Sequence, residues 1–353
     1  MNKSNSGNKI RIGISTGDLN GVGMEIILKV LSDKRISELF TPVIFGSSSV
    51  LSYYRKTLDL KDVPIRTVQS LDEVRKDQAY LFNCIAGEPK IEMGTSTREG
   101  GDYALKSLMK ATEALEKGQI QALVTAPIDK HNIQSDEFKF PGHTEFLEEK
   151  FGEDGSLMIL CKEGFRVALV TGHVPIGQIE SMITSKAIEH KLRIFEESLR
   201  LDFGISRPKI AVLGLNPHAG DNGVIGDTEE KIIAPTIERF FKKGMLVYGP
   251  YPADGFFGAK KHTQFDGVLA MYHDQGLIPF KALSFGGGIN FTAGISVVRT
   301  SPDHGTAYDI AGQGIADEGS FREALYLAKD IYQERLKQKD WAKNPLIKQE
   351  ESN

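Results

Sequence analysis

The sequence predicts an α/β fold in two domains, and three observations support it. Short apolar runs alternate with segments of helical periodicity along the whole chain. Neither an internal repeat nor a low-complexity tract breaks that rhythm. The 353 residues, 40% hydrophobic and 25% charged, suffice to bury roughly three quarters of the unfolded surface and to divide into two domains.

In order, residues 9–15 read as a buried strand, 23–31 as a helix, 42–46 as a strand, 48–57 as a helix and 80–84 as a strand. This is βαβ rhythm and implies a parallel sheet. Residues 102–117 place Leu105, Leu108, Met109, Thr112 and Leu115 near helical spacing, and Gly118 is a natural stop before a strand at 120–125. A helix follows at 144–151, then strands at 157–161 and 165–171 and a long helix at 184–201. Next come a strand at 209–215, a helix at 229–242 and a strand at 266–271. Gly286-Gly287-Gly288 interrupts the pattern, after which 295–299 reads as a strand, 304–311 as a short helix and 321–336 as the final helix. The two ends, 1–9 and about 339–353, are polar and expected to be mobile.

Composition excludes several classes of function. A formal charge of −4, with Lys and Arg scattered, argues against nucleic acid or an anionic membrane as partner. The opening residues lack the apolar core of a signal peptide, and no segment has the roughly 18 uninterrupted apolar residues of a membrane span, so a cytoplasmic protein is expected. Cys84 and Cys161 each sit in an apolar run, which excludes a disulfide framework and a thiolate zinc site.

Three strands in the second half run out into a histidine: His173 after the strand from Phe165, His218 after that from Ile210, and His273 after that from Gly267. Ligands in open α/β sheets bind outside the carboxyl ends of the strands, so three imidazoles delivered there suit one divalent metal with an open coordination position. A histidine leaving a strand can equally bond a loop carbonyl. Thr16-Gly17-Asp18-Leu19-Asn20-Gly21-Val22-Gly23 follows the first strand and opens a helix, suiting either anion binding or a tight turn capped by Asp18 or Asn20. The G-x-G-x-x-G fingerprint occurs nowhere. Pro141-Gly142-His143-Thr144-Glu145 would seat a phosphate at a helix start, while Lys281, Asn290 and Arg299 add donors from a glycine-rich stretch with apolar flanks. A zinc hydrolase would need the same three histidines.

Gly142-His143-Thr144-Glu145-Phe146, Asn216-Pro217-His218-Ala219-Gly220-Asp221, Gly249-Pro250-Tyr251-Pro252-Ala253-Asp254, Tyr272-His273-Asp274-Gln275-Gly276 and Phe285-Gly286-Gly287-Gly288-Ile289-Asn290 closely resemble the 4-hydroxythreonine-4-phosphate dehydrogenase family of pyridoxal phosphate synthesis. The resemblance spans roughly residues 10–336. It implies that His173, His218 and His273 hold the metal, His273 coming from the partner subunit of a homodimer with a shared active site. It further implies that His143, Thr144, Lys281, Asn290 and Arg299 bind a phosphorylated amino acid substrate. Imidazole ligands favour zinc, with cobalt or magnesium as alternatives.

Residues 301–312 also look like the nucleotide loop of isocitrate and isopropylmalate dehydrogenases. That likeness implies NAD at His304, Gly305 and Asp309, and a two-domain α/β/α architecture with the site in the interdomain cleft. The nucleotide-binding domain is then discontinuous, 1–132 plus 281–353, around a metal-binding and dimerisation domain at 133–280. Asp254 and Asp274 are candidate general bases for oxidation at C3 of 4-phosphooxy-threonine; equally, Asp274 could orient a histidine and Asp254 serve a turn. Related phosphorylated four-carbon acids, 4-phosphothreonate or 4-phosphoerythronate, are alternative substrates.

Overall fold

The computed structural model describes residues 9–343; residues 1–8 and 344–353, which hold most of the two polar ends, lie outside that range. The first third runs β1 (Arg11–Ser15), α1 (Gly23–Leu31), α2 (Ile36–Leu39), β2 (Thr41–Gly46), α3 (Ser48–Thr57), β3 (Ile65–Val68), β4 (Ala79–Asn83), α4 (Arg98–Glu116) and β5 (Ala122–Thr125). The middle runs α5 (His143–Phe151), β6 (Gly152–Lys162), β7 (Phe165–Leu169), α6 (Ile179–Met182), α7 (Ser185–Leu201), β8 (Lys209–Leu213), α8 (Ala234–Lys242), β9 (Leu246–Tyr251), α9 (Ala253–Gly258) and β10 (Gly267–Ala270). The chain closes with α10 (His273–Ser284), β11 (Ile289–Ile295), β12 (Arg299–Pro302) and α11 (Gly319–Lys343).

The twelve strands of the described residues form one sheet in the order β3-β4-β2-β1-β5-β12-β11-β6-β7-β10-β8-β9. β1, β2, β5 and β8 are buried along nearly their whole length because helices cover both faces, which is why they read as continuous apolar runs rather than alternating ones. The expected parallel pairing holds on both flanks. The centre differs: β11 pairs antiparallel with both β12 and β6, and β6 pairs antiparallel with β7. A tight turn at Glu163 and Gly164 allows the β6–β7 hairpin, and a short connection after β11 allows the next, so no crossover helix is needed.

Local signals account for the helix limits. The Thr97 side chain accepts from Gly100 N and starts α4 four residues before the apolar periodicity begins, while Thr184 does the same for α7 through Ala187 N. Each cap contributes about 1 kcal/mol. In α11, Phe321, Ala324, Leu325, Ala328 and Ile331 form a buried stripe, and α11 packs on β12.

Several elements depart from the sequence expectation. β3, β9 and α10 have no counterpart in it: β3 is only half buried, β9 contains Pro250, and α10 carries Gly276 and Pro279. The strand expected at 295–299 is instead a bend between two strands that end and begin there. The helix expected at 304–311 shrinks to one 3-10 turn, Tyr308–Ile310.

Phe291, fully buried in the strand joining the two parallel flanks, packs edge-on against Phe203 at 5.8 Å between centroids. Phe291→Ala should destabilise the protein by about 3–5 kcal/mol through lost burial plus the cavity left behind. Urea unfolding checks this, and a loss below about 1 kcal/mol would contradict the packing described.

Candidate active site

β7, β10 and β8 are hydrogen-bonded parallel neighbours, so their carboxyl ends open on one edge of the sheet. His173, His218 and His273 follow those ends. Hydrogen bonds tie the three exits together. Thr171 N and Oγ1 both donate to Met271 O, at 3.1 and 2.8 Å. Met271 N donates to Gln275 Oε1 at 2.7 Å, and Gln275 Nε2 donates to Gly214 O at 2.6 Å. Gln275 thus staples the root of the His218 loop to the start of the helix that carries His273. Gly276 lets that helix lie close to the sheet, since a Cβ there would stand 2.7 Å from Leu169 Cδ2.

The His173 and His273 rings face each other within one chain, 5.3 Å between centroids. Partial desolvation, then Lys130 and His273, hold His173 below its usual range, which favours the neutral, ligating form. His273 Nδ1 is 2.7 Å from Asp274 Oδ1, the carboxylate-imidazole pairing that leaves Nε2 outward. His218 is exposed on a separate loop, and among the described residues no group of three or more His, Cys, Asp or Glu side chains is gathered closely enough to hold a metal. The donor chemistry fits a nitrogen-preferring divalent cation, two imidazoles being paired and the third rooted on an adjacent strand.

Beside this edge opens a cleft of about 620 Å³, lined from both flanks of the sheet. His143, Thr144, Lys281, Asn290 and Arg299 all border it, as do His173, His304 and Gly305. Arg299 is 3% exposed. Its Nε and Nη2 donate to Thr125 Oγ1 at 3.2 and 2.7 Å and its Nη1 to Thr292 Oγ1 at 3.2 Å, while Glu145 attracts it only from beyond bonding distance. Burial pulls its pKa down to about 10. A buried cation whose hydrogen-bond partners are hydroxyls has its positive charge only partly compensated, and an anion in the cleft would balance it.

Two further polar atoms point the same way. His143 Nε2 and Asn290 Oδ1 are buried without a hydrogen-bond partner among the described residues. The α5 helix begins at His143 with Gly142 at its N-cap and no capping side chain, so Thr144 lies in the first turn rather than capping it. The first amides of α5 remain open to an anion.

The sequence does not single out Lys191 and Lys130, two more cations on the cleft wall. Lys191 Nζ donates to Ser156 O at 2.7 Å and its pKa is lowered by burial, against the pull of Glu148. A lysine on the polar side of a long helix carries no local signal of such a role. Asp303, also on the wall and raised by burial, stands 3.6 Å from Lys281 Nζ.

Asp254 and Asp274 lie outside the cleft wall, both exposed; Asp254 heads α9 and Asp274 is engaged by His273. Asp309 is exposed on the 3-10 turn and is not on the wall. Its loop nonetheless packs on the first turn of the chain: Val22 N donates to Thr306 O at 3.0 Å, Tyr308 Oη to Asp18 Oδ2 at 3.0 Å, and Gly312 N to Glu25 Oε2 at 3.2 Å. Neither Asp18 nor Asn20 caps α1; Asp18 accepts from Asn20 N, and Asn20 binds Thr95 and Thr97.

Fold and cleft together define an α/β protein whose cleft is bordered by a buried arginine and by polar atoms with no partner among the described residues. The family model described as Pyridoxal phosphate biosynthetic protein PdxA matches residues 38–328. The chain is 53% identical over 343 residues to the 4-hydroxythreonine-4-phosphate dehydrogenase of Bacteroides thetaiotaomicron, covering 97% of this chain and 94% of that protein. It is 40% identical to the enzyme of the same name from a Sulfurihydrogenibium species, over 90% of this chain and 97% of that one. The crystal structure of the Klebsiella pneumoniae 4-hydroxythreonine-4-phosphate dehydrogenase superposes with a TM-score of 0.79 at 34% identity, covering 93% of this chain and 99% of that chain. This chain belongs to the PdxA family.

Burial, then Arg299 and Lys130, keep His143 well below its ordinary value of 6.5, so the folded protein resists protonating it while the unfolded chain does not. The stability from its neutral form is full above about pH 6.5 and is lost as pH falls. Relative to His143→Gln, the wild type should therefore lose urea stability between about pH 7.5 and about pH 5.5. A difference that stays constant over that range would contradict the assignment.

Proposed function

We propose that this chain is a cytoplasmic, NAD-dependent and metal-dependent 4-hydroxythreonine-4-phosphate dehydrogenase that works as a homodimer with shared active sites. The reaction oxidises the C3 alcohol of 4-phosphooxy-L-threonine, hydride passing to the nicotinamide of NAD. The β-keto acid so formed loses carbon dioxide and leaves 3-amino-2-oxopropyl phosphate, on the route to pyridoxine 5'-phosphate. The observation that carries this reading is the buried Arg299, with no carboxylate at ion-pair distance among the described residues, facing the same cleft as His143 Nε2 and Asn290 Oδ1, likewise without a partner there, in a chain of this family.

Arg299 supplies fixed donors for the substrate phosphate, with Lys281, Thr144 and the first amides of α5 around it. Neutral His143 adds a hydrogen bond without a second buried charge. Asn290 Oδ1 is an acceptor and suits the substrate's amino or hydroxyl group. Fixing the phosphate at one end of the cleft orients C3 toward the histidine edge, an entropic gain that precedes chemistry.

His173, His218 and His273 would hold the divalent cation, zinc by the chemistry of imidazole, and a homodimer is the arrangement that completes the set. When bound, that cation supplies Lewis-acid stabilisation of the negative charge that develops on the reacting oxygen. Asp274 orients the imidazole of His273, which leaves Asp254, without a side-chain partner among the described residues, as the candidate general base. His304 and Gly305, on the cleft wall, would meet the nucleotide, with Asp309 behind them. In this reading residues 1–132 plus 281–353 make the nucleotide-binding domain and 133–280 the metal-binding, dimer-forming one; β12 returning to β5 supports that division.

Purified protein given NAD, zinc and 4-phosphooxy-L-threonine should produce reduced nicotinamide, stop on addition of chelator, and turn over 4-phosphothreonate and 4-phosphoerythronate far more slowly. His218→Ala should lower kcat/KM at least about 100-fold with fold and dimer intact. Phosphate release without reduced nicotinamide would point to a hydrolase, and near-normal turnover by His218→Ala would overturn the metal assignment.

A further inference from the structure

The loop that carries His218 is held in a conformation its residues do not prefer. His218, Ala219, Asp221 and Asn222 all have φ between 46° and 53°, and Gly220, Gly223 and Gly226 are also left-handed. Side chains with a Cβ rarely adopt that backbone, least of all four times within five residues. Something outside the loop must fix it.

The group placed to do so is Glu229. It is 2% exposed, and its carboxylate accepts from Leu215 N at 2.7 Å, Asn216 N at 2.7 Å and Asn216 Nδ2 at 3.0 Å. No cation lies within ion-pair distance of it among the described residues, so the buried negative charge is satisfied by these loop donors alone. Glycines make room for it: a Cβ on Gly220 would stand 2.8 Å from Glu229 Oε2, and one on Gly214 3.1 Å from Oε1. Glu229 also opens a π-helical turn, Glu229–Ile233, ahead of α8, an irregularity that often marks functional positions.

We propose that Glu229 is a positioning residue that presets the loop presenting His218 to the metal. The carboxylate grips the loop at the two residues just before Pro217 and His218, so the left-handed turn that follows starts from a fixed point. Gln275 grips the residue before those, Gly214, from the His273 side. Two anchors on one short stretch specify where His218 emerges from the sheet edge. This rests on His218 being a metal ligand, as proposed above.

The test titrates the apo protein with zinc against a chromogenic chelator, records the visible spectrum of the cobalt-loaded form, and follows amide hydrogen exchange. Glu229→Gln places a donor against the Asn216 amide; it should weaken zinc about 10- to 100-fold, alter the cobalt spectrum, and speed exchange at 215–226 ahead of the rest of the chain. Asn216→Ala, which removes only the side-chain bond, should show the same changes to a smaller extent and serves if Glu229→Gln fails to fold. Asp202→Asn, which disrupts a buried carboxylate held by Ser198 and Arg335 elsewhere, should lower stability without moving zinc affinity. Wild-type zinc affinity and exchange in both Glu229→Gln and Asn216→Ala would overturn the proposal. Zinc binding that does not weaken in His218→Ala would instead overturn the metal reading, and loop exchange would then decide the clamp by itself.

Discussion

A guanidinium buried among hydroxyls, with no carboxylate within ion-pair distance among the described residues, is the constraint around which this molecule is organised. Removing a cation from water is costly unless an opposite charge joins it, so Arg299 makes the folded chain electrostatically incomplete. Its place depends on the antiparallel centre of the sheet. β12 carries Arg299, its sequence neighbour β11 supplies Thr292 and the distant β5 supplies Thr125, so two remote parts of the chain build one cationic corner. The unpartnered His143 Nε2 and Asn290 Oδ1 extend the same demand to hydrogen bonds.

Beside the cleft, which His173 borders, the fold solves a different problem, the placement of three histidines at neighbouring strand exits. Parallel pairing brings the exits of β7, β10 and β8 side by side, and Thr171, Met271 and Gln275 lock them. The price is a run of left-handed residues around His218, beside a carboxylate whose hydrogen-bond partners among the described residues all belong to that loop. In the metal reading proposed above, rigid strands would fix the roots of the three histidines and the loop gripped by Glu229 would set the rest, an arrangement suited to a preorganised site.

Much of this was legible in the chain. The buried parallel strands announced themselves as apolar runs, and their histidine exits and the cluster at 141–145 marked the site, because both features are local. What escaped was non-local or contradicted by local signals. α10 hides behind Gly276 and Pro279, which lower helix propensity but fit a helix that must approach the sheet closely and whose first turn carries His273. The antiparallel centre was invisible because β11 and β12 are separated by a bend whose apolar residues mimic a strand. Lys191 and Glu229 gave no warning, since a charged residue on a helix normally faces water and only the fold turns these two inward.

The central claim is that the cleft exists to take a phosphate against Arg299. Calorimetric titration of the wild-type protein with 4-phosphooxy-L-threonine and with its unphosphorylated parent, 4-hydroxy-L-threonine, tests it most directly. Charge-assisted contacts of this kind are worth about 1.5–3 kcal/mol each, so the phosphorylated compound should bind at least about 100-fold more tightly. Equal affinity for the two compounds would contradict the account.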